Sequence, residues 1–323
     1  MKIDTDWEGY TREFPAALKN TYFNNAAVSP LSTRVRKAID EVGGLFEREG
    51  ILCEDELMSR VASARASCAS LIGASAGEIA FTRNTTHAVL LAAGSVKWRD
   101  GDNVVLPAIE FPANVYPWMG LVSKGVELRM VEPDEEGLVT AEMLSDVCDH
   151  RTRVVTASYV QFSTGQRLDC AQLGSFCRDR GILFHVDAIQ GLGAVRVDVR
   201  GEMIDMLSCG GHKWLLATPG TGIFYCREEL IADLEVAMPG WTGVVSPRDF
   251  LDYDLTYRHD ATRFEEGSMN FQGIYALEAA ADRFLEIGTD AVEERILALT
   301  SRLAGGLEER GYRVTSPMEE DMR

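Results

Sequence analysis

Hydrophobic residues in this chain fall into short β-branched bursts, separated by longer stretches in which they return every three or four positions. The bursts are "IAFTR" from 79, "NVVLP" from 103, "VELRMV" from 126, "RVVTAS" from 153, "ILFHVD" from 182, "IDMLS" from 204 and "GIFYC" from 222. Each has the length and composition of a buried strand, whereas residues 86–96 and 171–180 between them carry helical spacing. Strands alternating with helices predict an α/β domain built on a mostly parallel sheet. Ligands of such sheets gather at the carboxyl ends of the strands.

Beyond about residue 245 the pattern changes. "PRDFLDYDLTYRHDATRFEEGSMN" is polar and aromatic and predicts a long ordered loop. Helical spacing returns over 275–287 and 291–309, the second with Val292, Ile296, Leu299, Leu303 and Leu307 close to one face and Gly311 as its stop. "YRVTS", 312–316, then alternates like a strand, seven residues before the sequence ends. A lone strand has little to pair with, so the expectation is a second domain cut short. The organisation expected is an N-terminal segment 1–24 packing on the small domain, a large domain 25–245, and an incomplete small α+β domain 246–323.

Composition narrows the function classes. With 323 residues, 46% of them hydrophobic, the chain can bury a sizeable core. Fifty acidic against 32 basic residues give a net charge of −18, which argues against nucleic acid or an anionic membrane as the principal partner. The seven cysteines form no CxxC pair, their number is odd, and they sit in or beside apolar segments. Reduced thiols of a cytoplasmic protein fit that usage. The opening "MKIDTDWEGYTREF" has no apolar core of a signal peptide, and no later run approaches membrane-spanning length. The five histidines lack metal-ligand spacing, so no metal is expected.

Candidate chemistry centres on "SCGGHKWLLATPGTG", residues 208–222. It sets Lys213, one of only six lysines, between a glycine turn and Trp214-Leu215-Leu216. A buried lysine that loses its proton becomes a nucleophile suited to a Schiff base; equally, a lysine stem can lie along apolar surface with its head in water. Asp187 ends the run "GILFHVD", with Gln190 three residues on. Taken singly, an aspartate there is a turn or helix cap. "FTRNTTHAVLLAA" offers a strand, then Asn84, Thr85 and Thr86, then a helix whose free N–H groups would face an anion, or simply a capped helix start. Pyridoxal phosphate requires all three elements together: an amine, a carboxylate for its pyridine nitrogen, and a phosphate cradle.

"YFNNAAVSP" at 22, "FTRNTTHAV" at 81, "FHVDAIQGLG" at 184, "GGHKWLLATPGTGIFY" at 210 and "RFEEGSMN" at 263 resemble, in order, the motifs of the class V aminotransferases, a family that includes cysteine desulfurases and isopenicillin N epimerase-like proteins. The resemblance runs from about residue 20 to the end of the chain. It implies the fold type I architecture of pyridoxal-phosphate enzymes, with a seven-stranded large domain and a homodimer. By matching position, Lys213 would hold the cofactor aldehyde, Asp187 would pair with the pyridine nitrogen, and Gln190 would bond the ring hydroxyl. His212, Thr85 and Thr86 would lie at the phosphate. Ser268 resembles the residue that reaches the partner's phosphate, so each active site would need two chains.

Several positions depart from the desulfurase pattern. Phe111 falls where desulfurases carry a histidine, and phenylalanine can stack but cannot transfer a proton. Gly210 replaces a phosphate-binding serine, and Phe162 replaces an asparagine, leaving Gln190 and Gln161 for polar contact with the ring. The family's substrate-carboxylate arginine and desulfurase cysteine are both expected beyond residue 323. "GLG" at 191 and "GTG" at 220 lack the third glycine of a dinucleotide fingerprint and read as turns. The function expected is a pyridoxal-phosphate enzyme of class V aminotransferase type acting on a small amino acid. The alternatives are a cysteine desulfurase, C–S lyase or epimerase of the same family, and, from another class, a non-catalytic dimer of this fold.

Overall fold

The computed structural model describes residues 5–319, 322 and 323; the first four residues of the N-terminal segment and positions 320–321 lie outside the described residues. All seven bursts are strands: β1 Ile79–Thr82, β2 Asn103–Pro107, β3 Glu127–Val131, β4 Thr152–Ser158, β5 Leu183–Asp187, β6 Met206–Gly210 and β7 Gly222–Cys226. They form one sheet in the order β1-β7-β6-β5-β4-β2-β3. Every pairing is parallel except the two made by β7, which runs antiparallel to β1 and β6.

The strands read as continuous apolar runs because both faces of the sheet are covered. Along β7, Ile223 and Tyr225 join one buried cluster while Phe224 and Cys226 join the other. That is the two-residue alternation of a pleated strand with a core on each side. The helix Thr85–Ser95 packs in the second cluster through Ala88, Val89, Leu91 and Ala92. On the opposite face lie Thr33–Glu49, Glu54–Leu71 and Phe271–Ile287, whose inward residues include Val42, Leu57, Val61, Ala276 and Leu277. Only the edge strand β3 has a mainly uncovered pattern.

The helices expected from periodicity begin one to four residues earlier than the pattern suggested, at Thr85, Cys170, Phe271 and Thr289. Asn84, Asp169 and Asn270 cap the first three by accepting from the third backbone N–H, which moves each start upstream of the first apolar repeat. The strand expected over 312–316 does not form; those residues are irregular, because no neighbouring strand pairs with them. The N-terminal helix Trp7–Arg12 lies against the last two helices, with the Arg283 guanidinium 4.9 Å from the Tyr10 ring and bonded to Glu13.

The polar segment 247–270 is an ordered loop, as expected, tied back by a bridge between Val244 and Tyr257 and carrying a short turn of helix at Ala261–Phe264. A buried ion pair fastens it to the sheet. Arg65 Nη1 and Nη2 bond the Glu265 carboxylate at 2.7 and 3.2 Å, and Glu265 Oε1 also accepts from the Phe81 N–H of β1 at 2.8 Å. Both side chains are largely buried, at 10% and 5% exposure. Removing one member strands the other charge without water, so Glu265→Ala should destabilise the fold by about 3–5 kcal/mol, read from the urea midpoint.

Candidate active site

The carboxyl ends of the central strands open on a cavity of about 530 Å³. Thr85, Thr86, Phe111, Asp187, Gln190, His212 and Lys213 all line it. They arrive from four separate stretches of sequence, brought together because parallel strands present their following loops along one edge. Ser268, the eighth residue singled out by sequence, is elsewhere: it lines a second cavity of about 200 Å³ with Arg83, His87 and Asn270.

Asp187 is 1% exposed at the end of β5, and its Oδ1 accepts the Ile189 N–H at 3.0 Å. Burial pushes its pKa up to about 7, and the nearby Glu110 adds to the rise; the Ile189 N–H and Lys213 act against it. Lys213 follows β6 in a tight loop in which the Leu216 N–H donates to the Lys213 carbonyl at 3.1 Å and the Ala217 N–H to the Gly211 carbonyl at 2.8 Å. Leu216 takes a left-handed φ of 59°, strained for a leucine. The Lys213 ammonium sits 5.4 Å from the centre of the Phe111 ring, and its pKa is lowered by burial against the pull of Asp187. Desolvation therefore favours the neutral amine.

Gly210 leaves a small space beside the cavity wall, bordered by polar atoms and the Ile189 side chain. A Cβ on Gly210 would lie 2.9 Å from Thr85 Oγ1 and 3.2 Å from His212 Nδ1. Both of those atoms are buried without a hydrogen-bond partner. The start of the helix Thr85–Ser95 adds free backbone donors, and burial and Lys213 together lower the His212 pKa.

Gln190 is fixed by two bonds the sequence did not reveal. Its Oε1 accepts from the Trp214 indole at 2.8 Å and its Nε2 donates to the Ala26 carbonyl at 3.1 Å. Indole can only donate, so the amide orientation is set and the NH₂ keeps one free proton. Ser29 N–H to the His212 carbonyl at 2.9 Å ties down the "NNAAVS" stretch, whose Asn24, Ala26 and Ala27 form part of the wall. Gly193, from the "GLG" fragment, has φ 98° and lies where a Cβ would be 2.3 Å from the Trp214 carbonyl, so that fragment is a close-packed turn. Sequence reasoning also passed over Glu110. Its one signal was a carboxylate inside the apolar stretch before Phe111.

Among the described residues, no cysteine lines the cavity, and no group of acidic, histidine or cysteine side chains could hold a metal ion. Six of the seven thiols are buried, and burial raises Cys68 to about 12 and Cys209 well above its ordinary range. No helix of the described residues is long and apolar enough to cross a membrane.

The family model for aminotransferase class V matches residues 21–322. The chain belongs to the class V aminotransferase family. A probable cysteine desulfurase of Methanothermobacter thermautotrophicus is 32% identical over 300 residues, covering 92% of this chain and 74% of that protein. A cysteine desulfurase of Cronobacter sakazakii is 32% identical over 314 residues, with 91% and 74% covered. The apo structure of a cysteine desulfurase from Thermococcus onnurineus superposes with a TM-score of 0.88 at 27% identity, covering 99% of this chain and 81% of that one. The seven-stranded fold type I architecture is thus established for this class V chain, and with it an enzyme of the pyridoxal-phosphate type. The cavity suits that cofactor. It pairs a buried carboxylate with an amine whose basicity burial lowers, and two orphaned polar atoms border a space that a side chain at position 210 would fill.

Without cofactor, this arrangement works against stability. Asp187 releases its proton near 3.8 when unfolded and near 7 when folded, so between those values the folded state binds more protons and loses stability as pH rises. Asp187→Asn should therefore raise the stability of the cofactor-free protein at pH 8 by on the order of 2–4 kcal/mol, with the advantage vanishing near pH 4, as followed by urea unfolding.

Proposed function

We propose that this chain is a pyridoxal-phosphate enzyme that breaks the carbon–sulfur bond of cysteine. The observation that carries the cofactor chemistry is the meeting of Lys213, depressed by burial, with the buried Asp187 in one cavity. The relatives named cysteine desulfurase support carbon–sulfur cleavage over transamination of an unspecified small amino acid. The non-catalytic reading, a dimer that keeps the fold but lacks the substrate-carboxylate arginine, is disfavoured because the relatives of this family are enzymes.

Bound pyridoxal phosphate supplies an aldehyde for an amine and a ring that accepts the electrons left by a departing α-proton. Lys213 would hold that aldehyde through its amine, and the same amine, when free, is the base placed to take the substrate's α-proton. Asp187 would pair with the pyridine nitrogen, whose protonated form would supply the positive partner that burial denies the carboxylate. Gln190 has one N–H left to donate and would offer it to the ring hydroxyl. Thr85, Thr86 and His212, with the helix start behind them, receive the phosphate. Phe111 stacks but cannot carry a proton, so proton transfer falls to Lys213.

Ser268 lies outside this cavity, which agrees with a homodimer in which Ser268 of each chain reaches the other's phosphate. The free thiols fit a reducing cytoplasm.

Borohydride reduction of the cofactor-loaded protein should leave a phosphopyridoxyl group on Lys213, and L-cysteine with a reducing thiol should yield sulfide. Alanine as co-product identifies desulfuration; pyruvate with ammonia identifies lysis. Lys213→Ala should remove the adduct and lower sulfide release by roughly 10³-fold or more. Amino transfer to a keto acid without sulfide would return the transamination reading.

A further inference from the structure

Two aromatic rings, Phe111 and Phe162, form the outer wall of the cavity, meeting edge to face with centres 5.3 Å apart. They are 42% and 46% exposed, too open for side-chain packing alone to fix them. Their placement depends on the backbone that carries them, and both backbones lead to Glu110. Its side chain sits in a residue that is 6% exposed. Oε1 accepts the Ser158 N–H at 2.6 Å and Gln161 Nε2 at 3.2 Å, while Oε2 accepts the Ser158 hydroxyl at 2.6 Å. Gln161 passes the connection on, since its Oε1 accepts the Phe162 N–H at 3.1 Å. Ser158 is paired with Asp187 in the β4–β5 ladder.

A buried carboxylate is unfavourable unless donors replace its water, and an apolar residue of similar volume would serve packing as well or better. Apolar contact is not directional, however. A planar group with two polar ends, one oxygen accepting the strand-end N–H and the neighbouring amide and the other end bonding the serine hydroxyl, can bind the loop after β2 to the loop after β4. Burial raises the Glu110 pKa while Ser158, Asn114 and Gln161 oppose the rise.

We propose that Glu110 is a positioning residue that clamps the loops after β2 and β4 and so holds Phe111 and Phe162 as the wall facing Lys213. The inference rests on the cofactor site proposed above for its effect on binding, but the clamp itself is independent of it.

Two measurements test it. In the cofactor-free chain, Glu110→Ala should speed amide exchange in peptides covering 108–115 and 158–163 while β5 and β6 stay protected; unchanged exchange there, or a general loss of protection, overturns the clamp. This arm stands even if the protein takes up no pyridoxal phosphate, an outcome that would sink the proposed function alone. In the loaded protein, Glu110→Ala should weaken pyridoxal-phosphate binding about tenfold, yet add less than about twofold to Phe111→Ala, because the two act through one wall. Glu110→Gln, which keeps an oxygen for the Ser158 N–H and an NH₂ for its hydroxyl, should bind within about threefold of the parent. Independent, multiplying losses for Glu110→Ala and Phe111→Ala would overturn the role, as would a Gln variant as impaired as the Ala variant.

Discussion

Asp187 places a carboxylate at the end of the central strand of a seven-stranded sheet that is covered on both sides. At 1% exposure its charge is largely withdrawn from solvent. One backbone N–H and the amine of Lys213 are the main influences that favour its ionised form, and a second buried carboxylate, Glu110, opposes it. The rest of the site follows from that imbalance. A protonated ring nitrogen is the kind of partner the pocket is short of, and the same low-polarity surroundings that disfavour Asp187 as an anion disfavour Lys213 as a cation. The two groups are matched through their environment as much as through each other.

Placement of Lys213 is equally constrained. The loop after β6 closes on itself through the Lys213 and Gly211 carbonyls, and it does so with Leu216 in a left-handed conformation. Trp214, next in sequence to the lysine, bonds Gln190, and Gly193 gives up its side-chain space to the Trp214 backbone. A lysine stem is intrinsically flexible; here its backbone is pinned on both sides, and the Phe111 ring limits where the amine can lie. Immobilising the reacting group before chemistry begins is a recognised source of rate.

Much of this was legible in the chain. The strands were, because burial on both faces writes all but the uncovered edge strand β3 as mainly apolar runs, and the helices were, apart from starts set by Asn84, Asp169 and Asn270. Residues 312–316 were misread because alternation describes a strand's faces but cannot supply the neighbour it must pair with. Glu110 was missed for a related reason. Its partners, Ser158 and Gln161, lie about fifty residues away, and local spacing carries no trace of them.

By itself, then, the sequence determined the α/β class, the strands, and the types of group available for chemistry: one lysine in a glycine turn, one aspartate at a strand end, one threonine-rich helix start. These are properties of neighbouring residues, written in hydrophobic period and in the steric needs of glycine. Tertiary structure alone decided which of them share a cavity, that Ser268 stands outside it, that Trp214 orients Gln190, and how far burial shifts Asp187 and Lys213. Proximity and desolvation arise from packing between distant segments, and a linear pattern holds no measure of either.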